Sequence, residues 1–253
     1  MVSIPGDHPR AMAIVTAIQH GDTDSVARQL RADPELAKAR ITDEHGVSRT
    51  LLHVVADWPG HFPNGARIVA LIATAGADLN AGVINPAPHG APETPLHWAA
   101  SSDDIDVLDA LLDHGADIEA PGAIFTNGTA MSDAVIFAQW RAARRLLERG
   151  ARTTLSQAAA LGLLNRVREC CAEQPAPDEH TLTAALWHAC RGGQRDTAEY
   201  LLERGADLNW IGFDHKTPLD AAYDFAATDL IAWLRAHGAT RANEGLRSEF
   251  GLS

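Results

Sequence analysis

A short string, Gly-Ala-Asp, recurs along the chain at 76–78, 115–117 and 205–207, with variants Gly-Ala-Arg at 150–152 and Gly-Ala-Thr at 238–240. An apolar pair stands ahead of most copies: Leu71-Ile72, Leu111-Leu112, Leu146-Leu147 and Leu201-Leu202. Leu52-His53, Leu96-His97 and Leu219-Asp220 each open an Ala-rich segment. The step from Leu96 to Met131 is 35 residues, and from Leu186 to Leu219 it is 33. A repeat of that length is one small supersecondary unit. It cannot bury its apolar face alone, so copies must stack and share a continuous core.

Each repeat reads as two short antiparallel helices. Thr-Pro opens the first, with Thr as N-cap and Pro at the first helical position. An Ala pair lets neighbouring repeats approach closely, and Gly ends the second helix in the left-handed conformation. The stretches "TPLHWAA", "LLDHGADIEA", "LLERGADLN" and "KTPLDAA" closely resemble the ankyrin-repeat family, of the stand-alone bacterial type. The resemblance extends over about residues 10–241. It implies an all-α ankyrin solenoid of about seven helix–turn–helix repeats joined by short β-hairpin fingers. It also implies an interaction module that binds a partner protein on the concave face of fingers and first helices. The repeats are expected at about 10–49, 50–93, 94–128, 129–152, 153–183, 184–216 and 217–241, with a tail at 242–253. No linker richer than "EQPAPDEH" interrupts them, so 1–253 reads as a single ankyrin-repeat domain forming one cooperative stack.

The formal net charge of −12 argues against nucleic acid or an anionic membrane as partner, because both select basic surfaces. Apolar runs fall far short of a bilayer span, and "MVSIPGDHPR" has no signal-peptide pattern. A cytoplasmic location fits. Cys170, Cys171 and Cys190 make no disulfide framework and fall at core slots, as buried thiols.

Function is read from departures from the repeat, because a fold alone does not name one. Between the helices of the second repeat, "ADWPGHFPNGAR" carries four extra residues, among them Trp58 and His61. The next finger, "NAGVINPAPHGAPE", is six residues longer than the finger ahead of Thr217, holds Pro86, Pro88 and Pro92, and carries His89. The finger ahead of Leu155 is almost deleted. The position after the Leu-His pair, apolar in an ordinary repeat, reads Thr16, Val54, Trp98, Asp133, Gln157, His188 and Ala221. Helices pack about 10 Å apart, so four consecutive polar or aromatic side chains are expected to converge. Burying them unpaired would cost a few kcal/mol each. They either form a hydrogen-bonded ladder, with Asp133 accepting from Gln157 and His188, or serve a ligand.

Two functions from different classes follow. The first is the protein-binding module. The alternative is a small-molecule binding protein or cofactor-independent enzyme (a lyase, isomerase or hydrolase) with a pocket around repeats 2–6. Its catalytic residues would be Asp133 and His188, working by acid–base chemistry. Binding residues for either function would be Trp58, His61, His89, Trp98, Gln157 and Trp210. No metal site and no cofactor is expected: Cys-x-x-Cys, Gly-rich phosphate loops and a nucleophile elbow are missing from the sequence. His53 and His97 read as backbone-bonding structural residues, Trp140, Trp187 and Trp233 as core. The arginines of "RAARRLLERGAR" read as a solvated outer face.

Overall fold

A computed structural model describes residues 2–86 and 91–244. The chain divides into two compact halves, 1–152 and 153–253, and the boundary falls in the shortened connection ahead of Leu155.

The N-terminal half holds four helix pairs: α1 (Pro9–Gln19) and α2 (Thr23–Ala32), α3 (Leu51–Ala56) and α4 (Gly65–Thr74), α5 (Pro95–Ser101) and α6 (Ile105–Asp113), α7 (Ala130–Ile136) and α8 (Trp140–Glu148). First helices pack in the order α1, α3, α5, α7, and second helices in the order α2, α4, α6, α8. The C-terminal half holds three more: α9 (Leu155–Ala160) and α10 (Leu164–Ala172), α11 (Glu179–Arg191) and α12 (Arg195–Leu202), α13 (Pro218–Asp224) and α14 (Thr228–Ala236). There α9, α11 and α13 form the row of first helices. The seven pairs are the expected repeats. Ile14, Leu52, Leu96, Met131, Leu186 and Leu219 are buried beneath them, as are Leu111, Leu146 and Leu201 of the second helices.

The fingers are less regular than the resemblance implies. Among the described residues only the first pairs as a hairpin, β2 (Arg40–Thr42) against β3 (Ser48–Thr50), and β1 (Ser3–Pro5) adds in parallel along β2. Ile84 of the second finger adds one isolated bridge, to Ser48. Cys170 and Cys190 are buried as expected, whereas Cys171 is only partly buried.

One slot explains how the repeats lock together. At the third position of α3, His53 Nδ1 accepts from the Thr50 N–H (3.2 Å), and its Nε2 donates to the carbonyl of Glu93 (2.9 Å), the residue just before the next repeat's Thr94. His97 repeats this with Thr94 (3.1 Å) and with Gly128 (3.2 Å), just before Thr129. Each imidazole closes its own helix cap and ties down the next finger. Burial holds His53 neutral, lowering it to about 4, as its accepting Nδ1 requires. In α11 the slot carries Trp187 instead, and its indole N–H donates to Lys216 O (3.1 Å), just before Thr217. That helix begins six residues early, behind Asp178, whose carboxylate caps it by accepting from the Thr181 N–H (2.8 Å). The added turn supplies His180.

Candidate functional site

The slot that follows the capping residue holds Trp98 and Asp133 in the N-terminal half. Trp98 is partly buried, edge-on to the His53 ring (5.0 Å between centroids, 79°). Its indole faces the Glu93 carboxylate and opposes the rise that burial imposes on that group. Trp98 is therefore a wall beside the capping histidine and a neighbour of a finger carboxylate. Asp133, on α7, is fully buried. Among the described residues neither of its oxygens has a hydrogen-bond partner, so the acceptor role that a ladder requires of it is unfilled there. Burial, and then the charge of Glu93, push its carboxyl up to about 7; the Ile124 backbone N–H, outside bonding geometry, pulls weakly the other way.

In the C-terminal half, His188 has a buried Nδ1 with no partner. Burial, and then the charge of Arg191, lower it to about 4, so it is neutral near pH 7. Its ring lies against Trp187 (5.2 Å) and Phe213 (5.4 Å). Phe213 is placed by the finger ahead of Thr217, where Asp214 (φ 55°) and His215 (φ 56°) both take the left-handed conformation and fold the chain back. Trp210 stands edge-on to Phe213 (5.5 Å, 88°) and to His180 (5.5 Å, 85°). Phe213 in turn meets Trp187 edge-on (5.1 Å). Trp187 is the buried floor of this shelf, while Ile211 (50% exposed), Phe213 (48%) and Phe225 (41%) remain open to solvent.

The other expected site residues do different work. Gln157 closes a helix cap. Its Oε1 accepts from Thr154 N–H (2.9 Å) and its own N–H bonds Thr154 Oγ1 (3.3 Å). Counted with Leu155 as the equivalent of Leu96 it shares the Trp98 column, but α9 starts one residue late, so Gln157 falls in the His97 slot. His61 (φ 59°) donates its backbone N–H to Asp104 (2.6 Å), the carboxylate that also caps α6. The inserted turn is thereby pinned to the following repeat, and Trp58 beside it is 82% exposed. His89 lies outside the described residues. The arginine run is matched by carboxylates one repeat earlier: Arg145 to Asp109 (2.8 Å), and Arg149 to Asp109 (2.8 Å) and Asp113 (2.6 Å). Trp187 and Trp233 are buried as core, whereas Trp140 is only partly so. Sequence reasoning missed Phe213, Arg191, Phe225 and Glu93. For Phe213 a signal existed, its spacing three after Trp210 in one finger.

Asp133 and His188 belong to different halves. Among the described residues no group of three or more His, Cys, Asp or Glu side chains is arranged to hold a metal, and no helix is long and apolar enough to cross a membrane.

The ankyrin-repeat family model matches residues 93–123 and 183–212. The chain is 30% identical over 141 residues to the ankyrin repeat and KH domain-containing protein mask-1 of Caenorhabditis elegans, covering 56% of this chain and 4% of that protein. It is 28% identical over 151 residues to the ankyrin repeat and KH domain-containing protein CBG24701 of Caenorhabditis briggsae, covering 60% and 5%. The chain thus spans a small fraction of the curated relatives it matches. Together with the seven helix pairs, these matches make the chain an ankyrin-repeat protein, built of a module whose general role is protein–protein interaction.

Proposed function

We propose that the chain binds a partner protein on the face made by its fingers and first helices, the concave face in this family. The observation that carries this reading is the aromatic shelf of the C-terminal half. Trp210 and Phe213 leave a finger and pack over Trp187 and His188 of a first helix, with Ile211, Phe213 and Phe225 exposed beside them. Aromatic side chains on a rigid scaffold are the usual anchors of a protein interface. A photocrosslinker placed at position 213, with one at Glu199 on the second helix as control, tests this. The expected result is a protein captured at 213 and not at 199, whose purified form binds at least about tenfold more weakly to Phe213→Ala, a typical anchor effect. A partner captured at 199 and indifferent to Phe213→Ala would overturn the reading.

A second reading, the cofactor-independent enzyme or small-molecule binder, draws on Asp133. A carboxyl raised to about 7 has the proton affinity of an acid–base group at neutral pH. Its complete burial weighs against direct contact with a substrate, and His188 at about 4 would act as a neutral imidazole. Turnover that Asp133→Asn abolished while leaving partner binding intact would favour this reading.

A further inference from the structure

We infer that the aromatic shelf of the C-terminal half ends in a carboxylate subsite at Arg191, taking a single carboxylate carried on a flat apolar body. The inference rests on the reading that this shelf is a binding surface, and it adds the chemistry of what binds there.

Arg191 is the last residue of α11. Its guanidinium lies over the Trp187 ring (5.6 Å to the centroid) and the Phe225 ring (5.7 Å). Among the described residues its N–H donors make no hydrogen bond and no ion pair. Arg235 and Arg241 in the same half contrast with it, holding carboxylates at 2.6 and 2.7 Å. Arg191 is also partly buried, and desolvation lowers its proton affinity. A partly desolvated guanidinium with no carboxylate on it is uncommon enough to need a reason.

The carboxylates within electrostatic reach are Asp214 and Asp224. Asp224 is committed to Lys216 (2.5 Å). Asp214 is exposed on the finger. Neither closes the fork. One helical turn before Arg191, His188 presents a buried Nδ1 that also lacks a partner. The rings of Trp187 and Phe213 link the two polar groups.

These features select a ligand. A planar carboxylate matches the guanidinium fork in two parallel hydrogen bonds. Trp187 as floor, with exposed Phe213 and Phe225, accepts a flat apolar group beside it. Only one charge is wanted. The chain carries a net −12, and Asp214 and Asp224 stand by the cation, so a polyacidic or polyphosphate ligand is repelled. A partner segment supplies this chemistry either as a C-terminal carboxylate after an aromatic residue or as an Asp or Glu side chain beside one.

The probes are N-acetyltryptophan, which has a free carboxylate; N-acetyltryptophanamide, which has none; and the amidated dipeptide N-acetyl-Trp-Asp-amide, which moves the carboxylate to a side chain. Binding is read by NMR from the ring signals of His188 and the indole N–H of Trp187. The expected result is a saturable shift with at least one of the acids, at least about tenfold weaker affinity for the amide, and the same loss for the acid on Arg191→Gln, as for a desolvated charge pair that loses one partner. Arg191→Lys keeps the charge without the fork and is expected to fall between. Which acid binds more tightly identifies the source of the carboxylate. Equal binding of acid and amide, unchanged acid binding to Arg191→Gln, or no saturable shift with any probe overturns the subsite. Phe213→Ala separates the two failures. If it weakens partner binding while Arg191→Gln does nothing, the surface stands and the subsite falls; if neither matters, both fall.

Discussion

The two halves solve one problem with different residues. In the N-terminal half, His53 and His97 each serve two masters, their own Thr cap through Nδ1 and the next finger's carbonyl through Nε2. In the C-terminal half, Trp187 reaches Lys216 O alone, and Gln157 closes its own cap. The slot is filled by a group that reaches the following segment: an N–H donor at His53, His97 and Trp187, and at Asp220 of α13 a carboxylate that accepts from the Ala242 N–H (2.9 Å). Where the cap is not served as well, the residue is free to be an indole, and the indole brings an aromatic floor. The same contrast holds one residue later. The N-terminal half buries an unpaired acid, Asp133, and the C-terminal half an unpaired neutral base, His188.

Core truncation in each half gives the largest expected effects. Leu111 and Leu201 fill equivalent, fully buried slots, so Leu111→Ala and Leu201→Ala should each cost about 2–5 kcal/mol. If 1–253 folds as one cooperative stack, calorimetry will show a single transition that either variant shifts whole. Two transitions, each moved by only one of the variants, would break the chain into independently folding halves. A loss under about half a kcal/mol would place the residue on a surface instead.

Asp133 comes next. Its folded carboxyl, raised from 3.8 to about 7, binds a proton that the unfolded chain has already released. The stability it contributes is therefore complete below about pH 4 and is lost as pH rises to about 7 and beyond. Asp133→Asn removes the titration. It should stabilise by about 1–3 kcal/mol at pH 8, net of burying an amide, and by much less at pH 5. A variant no more stable than wild type at pH 8 would mean the carboxylate is solvated or paired in solution.

The capping slot gives a smaller, graded test. His97→Phe removes two contacts, while Trp187→Phe removes one. The first should cost about 2–3 kcal/mol and the second about 1 kcal/mol, since each leaves buried polar groups without a partner. Equal costs would show that the Thr cap contributes little and that the finger tie is what matters in both halves.

The repeat number, the helix pairs and the structural role of His53 and His97 were legible because they rest on local chemistry: Thr-Pro at a helix start, Gly at a helix end, an apolar pair between. Gln157 was misplaced because Leu155 was counted as the equivalent of Leu96, and a helix that starts one residue late slides its capping residue into the next column. That Trp98 faces a capping histidine and lies by Glu93 needs the finger's path, which the count of residues between Gly76 and Thr94 does not supply. The shelf was half legible. Trp210 stood out, but Phe213 reaches Trp187 only because Asp214 and His215 both fold back at positive φ, and neither of those positions is a glycine. Arg191 was hidden for a different reason. An arginine at a helix end is ordinary, and only its partial burial against two aromatic rings, with no carboxylate closing on it, sets it apart.

His188→Leu is the smallest effect and the finest discriminator. The imidazole loses the solvation of Nδ1 on folding and gains no hydrogen bond there, while its contacts with Trp187 and Phe213 are of a kind that leucine also makes. At pH 8 the substitution should change stability by no more than about 0.5 kcal/mol. At lower pH the two proteins should part. His188 is lowered from 6.5 to about 4 in the folded chain, so between those values the unfolded chain takes up a proton that the folded one refuses. Wild type therefore loses stability as pH falls through that window, and the leucine variant escapes this loss, leaving the shares due to His53 and His97, both lowered by burial. Thermal melts at pH 8 and pH 5 should show coincident midpoints at the first and a higher midpoint for the variant at the second. A loss of about 1–3 kcal/mol at pH 8 would mean that Nδ1 is bonded after all, and His188 would then be a structural member of the C-terminal half. With stability unchanged and partner binding weakened, the ring belongs to the shelf.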